Sequence, residues 1–144
     1  MSIFDELRKG IPTRLPEEME ALGAELANAL PDNCLVALHG DLGSGKTTFI
    51  KGLARGLGVT HTVTSPTFNI FSLYQGTRQL LHMDAYRLHE PSDLEALCID
   101  EFIRPPFIIA IEWPENVDPF MEHLPRFDLE FTIDPDHRHR LMLQ

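Results

Sequence analysis

A chain of 144 residues with 43% hydrophobic and 24% charged side chains is the size of one domain, 1–144, with its own core, and its composition excludes a disordered, collagen-like or disulfide-built protein. Acidic residues number 22 and basic ones 12, a net charge of −10. Most of the surface should therefore repel nucleic acid, whose capture depends on Lys and Arg neutralising phosphates. No apolar run approaches the roughly 18 residues of a membrane span, and residues 1–9 lack both the basic front and the apolar middle of a signal peptide, so the expectation is a cytoplasmic protein with no membrane contact.

Pro16 with Glu17 and Glu18 opens a helix, since proline suits the first turn and acids suit its positive end. Met19, Leu22, Leu26 and Leu30 then recur at helical spacing, and 31–33 ends the helix. Residues 34–38 are a continuous apolar run of strand length, as expected for a central strand covered on both faces. A glycine-rich turn, 40–45, feeds a second helix with a stripe of Phe49, Ile50, Leu53, Ala54 and Leu57, stopped by Gly58. Gly52 and Gly56 inside it each cost about 1 kcal/mol against alanine, which suggests close packing against a sheet. Segments 68–74 and 79–84 read as a hairpin turning at 75–78. Residues 91–97 start another helix that 99–103 extends, 107–111 is a second wholly apolar strand, and 118–124 is a short helix. The chain closes with a hairpin of 128–133 and 140–143 around 134–136. Helices alternating with apolar strands, plus antiparallel pieces, give an α/β fold with a mixed sheet. Cys34 and Cys98 stand 64 positions apart in apolar contexts without CxxC spacing, and read as buried thiols.

Charge is uneven along the chain. Residues 40–75 carry one acid, Asp41, against Lys46, Lys51 and Arg55, a local cationic centre to which a small polyanion would be steered. The same stretch contains Gly40, Asp41, Leu42, Gly43, Ser44, Gly45, Lys46 and Thr47, which satisfies GxxxxGK[ST] between an apolar strand and an amphipathic helix. The spacing has a chemical reason. Glycines let the backbone wrap around phosphate oxygens, successive N–H groups point inward, and the following helix adds its positive end. Lys46 supplies a mobile charge for the outer phosphates and Thr47 a hydroxyl for Mg²⁺.

A magnesium-bound triphosphate also needs an acid at a strand end. Glu112 follows the run 107–111 and is the cleaner fit, while Asp84 follows the weaker run 79–83. Either acid could orient the attacking water, with Asp84 favoured if Glu112 serves the metal. Arg87 and Arg104 are candidates for stabilising transition-state charge, although both read first as surface or ion-pair residues. His137 and His139 flank Arg138 beside a turn without a third ligand, so they read as a solvated hairpin rather than a metal site.

Four segments taken together resemble the TsaE (YjeE) family of bacterial ATPases. These are 40–49, then Ser65-Pro66-Thr67-Phe68, then His82-Met83-Asp84-Ala85-Tyr86-Arg87-Leu88, then Glu112-Trp113-Pro114-Glu115. The resemblance implies a P-loop NTPase-like three-layer fold with a mixed, mainly parallel central sheet and antiparallel hairpins. It implies ATP and Mg²⁺ as cofactors, with the metal held by Thr47 and Glu112, and nucleotide contacts along 40–48, including Thr48, and at Thr67; Trp113, which reads first as a core residue, is placed by its neighbour Glu112 as a witness to bound nucleotide. Lys46, Asp84 and Glu112 become the catalytic set, and 65–68 falls where the family has a loop likened to a nucleotide-sensing switch. The implied role is to support turnover of a TsaD–TsaB assembly that forms threonylcarbamoyladenosine next to the anticodon of tRNA, with tRNA met only through the assembly. One position departs: the family's threonine after Glu-Glu in the first helix, near the base or sugar, is Met19 here, which reads as core packing.

Two other classes fit the loop. A small-metabolite kinase would cluster arginines on a lid, whereas Arg78, Arg87, Arg104 and Arg126 are scattered. A binding module switched by nucleotide without functional turnover uses the same loop.

Overall fold

The computed structural model describes residues 2–64, 70–95 and 97–144. The 65–68 segment with Thr67, and the first residues of the expected 68–74 strand, lie outside the described residues. Among the described residues seven strands form one mixed sheet: β1 (Ile11–Thr13), β2 (Cys34–His39), β3 (Phe71–Tyr74), β4 (Gln79–Asp84), β5 (Phe107–Glu112), β6 (Arg126–Ile133) and β7 (His139–Leu143). Their order is β1-β7-β6-β2-β5-β4-β3. The centre, β6-β2-β5-β4, is parallel. The flanks, β3 on one side and β7 with β1 on the other, are antiparallel. Central strands are buried on both faces, which is why 34–38 and 107–111 are apolar without alternation.

Among the described residues four helices accompany the sheet: α1 (Ile3–Lys9), α2 (Pro16–Ala29), α3 (Lys46–Gly56) and α4 (Pro91–Glu95). On one face α2 and α3 cover Val36, Leu38, Leu80, Ile108 and Ala110. On the other, Leu35, Ala37, Leu81, Met83, Ile109 and Ile111 are covered by short pieces and loops that contribute Ala85, Leu88, Ile99 and Val117. Helix α2 starts as its sequence suggests, and the Glu18 carboxylate accepts from the amides of Arg14 and Leu15 at 3.0 Å each. Those backbone bonds hold its pKa below the ordinary carboxylate value. The last turn of α2 is tied down by Arg78, whose guanidinium donates to the Leu30 carbonyl at 2.8 Å and to that of Ala27.

Several expectations are corrected. Gly52 and Gly56 pack against helix α2, not a sheet: a Cβ at Gly52 would lie 1.9 Å from the Glu20 carbonyl oxygen, and one at Gly56 2.7 Å from that of Ala24. Gly23 of α2 reciprocates, since its Cβ would stand 2.3 Å from the Phe49 carbonyl oxygen. The two helices share one face of the sheet and cross with their backbones in contact. Residues 118–124 are not helical, because Asp118 is held by the Arg126 guanidinium at 2.8 and 3.0 Å and Met121 turns left-handed at φ 50°. Residues 99–103 do not extend α4, since Cys98 is left-handed at φ 53° and a separate 3₁₀ turn covers Ile99–Glu101. Cys98 is exposed, whereas Cys34 is buried and desolvation pushes its thiol up to about 12. Helix α1 and strand β1 have no counterpart in the sequence reading. Ser2 and Asp5 cap α1 reciprocally, and β1 pairs with β7.

Among the described residues no helix is long and apolar enough to cross a membrane.

Candidate functional site

Parallel pairing in register brings the carboxyl ends of three strands to one edge. Leu38 of β2 stands beside Glu112 of β5, and Glu112 beside Asp84 of β4. Strand β2 continues through His39 into the glycine-rich turn, which enters α3 at Gly45, a left-handed residue at φ 107°. Gly43 is also left-handed at φ 79°, and a Cβ there would meet nothing within 4 Å. Both positions need glycine for the backbone path; at Gly43 space plays no part, whereas a Cβ at Gly45 would also crowd Met19 and His139. His39 anchors the root of the turn through its Nε2, 2.8 Å from Asp128 Oδ1 on β6. Burial works against the Asp128 carboxylate, but bonds from Arg126 and His39 outweigh it and lower its pKa.

The turn, the first residues of α3 and the two acids line a cavity of about 290 Å³. Leu42, Gly43, Gly45, Lys46, Thr47 and Thr48 form one wall, and Asp84, Glu112 and Trp113 face them. Of the remaining expected site residues, Gly40 accepts from Lys46 Nζ at 2.5 Å, Asp41 acts on Lys46 electrostatically, and Ser44 is buried at the base of the turn. Lys46 is only 4% exposed, and its Nζ sits 4.1 Å from the centroid of the Trp113 ring. Burial lowers the pKa of this ammonium, while Glu112, Asp84, Glu115 and Asp41 act to raise it. Trp113 occupies this place because the chain leaves β5 left-handed at φ 58°, and Tyr86 packs on it with ring centroids 5.1 Å apart. Neither Arg87 nor Arg104 lines the cavity; Arg104 is turned to the carbonyls of Glu101 and Ile103.

Two histidines complete the site through partners distant in sequence. His82, fully buried on β4, points Nε2 at Glu112 Oε2, 2.7 Å away. A carboxylate only accepts, so the imidazole donates and fixes one oxygen of Glu112. His139 is not part of a solvated hairpin: it is half-buried, lines the cavity, and its Nδ1 lies 2.9 Å from the Ser44 carbonyl oxygen. Pairing of β7 with β6 carries it to the edge where the glycine-rich turn begins. A second cavity, about 80 Å³, adjoins the first and is walled by Thr13, Arg14, Leu15, Pro16 and Met19. Met19 is therefore both core, at 2% exposure, and cavity wall.

The donor set suits magnesium. No three His, Cys, Asp or Glu side chains gather around one point among the described residues. A hydroxyl at Thr47 and carboxylates at Glu112 and Asp84 line one cavity, and Mg²⁺ takes one or two protein carboxylates and completes its shell with water and phosphate oxygens.

A central parallel strand running into a glycine-rich turn that opens a helix, with acids at the neighbouring strand ends, defines a P-loop NTPase-like fold. The family model described as threonylcarbamoyl adenosine biosynthesis protein TsaE matches residues 13–142, and the chain belongs to the TsaE family. It is 40% identical over 119 residues to the tRNA threonylcarbamoyladenosine biosynthesis protein TsaE of Bacillus subtilis, covering 82% of this chain and 72% of that protein. It is 34% identical over 121 residues to the protein of the same name from Treponema pallidum, covering 84% and 87%. A crystal structure of Bacillus subtilis YdiB superposes with a TM-score of 0.71 at 33% identity, over 93% of this chain and 82% of that one.

Proposed function

We propose that this protein binds ATP with Mg²⁺ and hydrolyses it to support turnover of a TsaD–TsaB assembly in tRNA threonylcarbamoyladenosine biosynthesis, working in the cytoplasm as a single domain and meeting tRNA only through that assembly. The observation that carries the chemistry is the desolvated Lys46 ammonium, held over Trp113 between the glycine-rich turn and the paired ends of β4 and β5. Family membership carries the biology.

Phosphoryl transfer to water needs positioning and charge stabilisation more than covalent help. Loop amides and the start of α3 receive the phosphates, and Lys46 turns from the Gly40 carbonyl to the outer ones. Thr47 and Glu112 would hold Mg²⁺, which when bound neutralises charge on the outer phosphates. Asp84, beside Glu112 on the next strand, orients the attacking water. Glu112, Asp84, Glu115 and Asp41 act on Lys46 and would repel a triphosphate that entered without a divalent cation, so binding should depend steeply on magnesium.

The test uses the only tryptophan. Adding ATP–Mg²⁺ moves Lys46 off the Trp113 ring and changes its emission; a Lys46→Ala protein gives no change. A variant that responds like the parent overturns the site. Turnover measured with TsaD, TsaB and tRNA should exceed that of the protein alone, and a fast rate indifferent to partners counts against the proposed role.

His82 gives a second expected result. His82→Leu leaves Glu112 without its donor and should weaken the magnesium-dependent part of ATP affinity about 10-fold or more. His82→Gln, which keeps a donor near Nε2, should recover most of it. Titrations with Mg²⁺ and with EDTA separate the two contributions, and equal losses in both would mean that His82 serves packing alone.

A further inference from the structure

The two cavities share three lining residues: Gly45, Thr48 and His139. One cavity carries Lys46, Thr47 and the acids, and the other is walled largely by Leu15, Pro16 and Met19. A molecule with a polyanionic tail and an apolar ring fills both only by passing this neck. The neck is tight: a Cβ at Gly45 would stand 3.3 Å from Met19 Cε and 3.4 Å from His139 Nδ1. His139 is the junction side chain with two hydrogen-bonding atoms in fixed relation. Its Nδ1 lies 2.9 Å from the Ser44 carbonyl oxygen, which can only accept, so Nδ1 carries the hydrogen. In the neutral ring Nε2 is then an acceptor. Among the described residues Nε2 has no hydrogen-bond partner.

The part of a nucleoside triphosphate that lies between base and phosphates is its sugar, whose hydroxyls are donors. We propose that His139 is a specificity-determining residue: Nε2 accepts a hydrogen bond from a ribose hydroxyl at the neck, so that the site selects ribonucleotides over deoxyribonucleotides, while Nδ1 braces the phosphate-binding turn. This rests on the reading of the first cavity as a phosphate site. It adds a sugar contact supplied by the closing hairpin, a part of the chain remote in sequence from the turn.

The test compares ATP, 2′-deoxy-ATP, 3′-deoxy-ATP and inorganic tripolyphosphate, each with Mg²⁺, by calorimetric titration of the parent and of His139→Asn. Asparagine keeps a donor near Nδ1 and removes Nε2. The parent should bind ATP about 10-fold more tightly than at least one deoxy analogue, the value of one hydrogen bond. In His139→Asn, ATP should fall to the level of that analogue while tripolyphosphate binds as in the parent. Equal binding of all three nucleotides by the parent overturns the proposal. So does a variant that keeps the parent's discrimination, or one that loses ATP and tripolyphosphate together, since the residue then acts only through the turn. A folded parent that binds neither ATP nor tripolyphosphate refutes the phosphate site itself, a separate outcome. His139→Gln is the second variant: its amide reaches the position of Nε2 rather than that of Nδ1, so it should keep the parent's preference for ATP over that analogue, and a His139→Gln protein that binds tripolyphosphate as the parent does but has lost the preference overturns the proposal.

Discussion

Gly52→Ala is expected to lower the urea midpoint of unfolding sharply. The added methyl would sit 1.9 Å from the Glu20 carbonyl oxygen and 2.6 Å from its carbon. These are backbone atoms inside α2, so no side chain can rotate away. Alanine gains about 1 kcal/mol in helix propensity over glycine, but overpacking at such a distance should cost about 3 kcal/mol or more, and the loss wins. Gly56→Ala, with 2.7 Å of clearance, should lose less. The order of the two midpoints is the measurement, and a Gly52→Ala protein as stable as the parent would contradict the crossing of α2 and α3. Because α3 carries Lys46 and Thr47 at its start, the packing that this glycine permits also sets where the phosphate-binding turn meets the strand ends.

Lys46→Met should separate stability from binding. Methionine keeps the apolar stem but removes the ammonium that would meet the outer phosphates. Two charge-assisted contacts at about 1.5 kcal/mol each make ATP bind about 100-fold more weakly or worse. Stability should move the other way. Burial lowers the folded-state pKa of Lys46 below its ordinary 10.5, so protonated Lys46 costs the folded state more than the unfolded one. That cost is fully present below the folded-state value and is relieved as pH rises towards 10.5. At neutral pH the variant should therefore be at least as stable as the parent, and its advantage should shrink in alkaline buffer. Calorimetric titration reads the first effect and denaturant melts across pH the second. A variant both destabilised and still binding ATP would refute the placement of this side chain.

The sequence carried the site's framework where chemistry is local. The turn from Gly40 to Thr47, the apolar β2 and β5, and the acids that end β4 and β5 all announce themselves by spacing within a short stretch. What sequence left unread depends on register and crossing. His139 reaches Ser44 across 95 positions because β7 folds back on β6, and nothing near His139 records that neighbour. His82 meets Glu112 only because parallel pairing sets Asp84 beside Glu112. For Gly52 and Gly56 the cost of glycine was legible, but not the surface they meet, since a helix and a sheet ask for the same missing methyl. The 118–124 segment is shaped by the pairing of Asp118 with Arg126 and by the left-handed Met121, neither of which spacing within the segment records.

The two faces of the sheet are clothed unequally. One lies under α2 and α3, whose backbones touch; the other lies under short turns and loops that run on from β4 and β5 through Ala85, Leu88 and Val117. Cover by short turns and loops opens at lower free energy than a locked helix pair, so amide hydrogens of those turns should exchange with deuterium soonest. The strands whose ends carry Asp84 and Glu112 lead directly into that layer. Opening of the loop-covered side would thus reach the carboxylates before it reached the opposite wall, which α3 anchors.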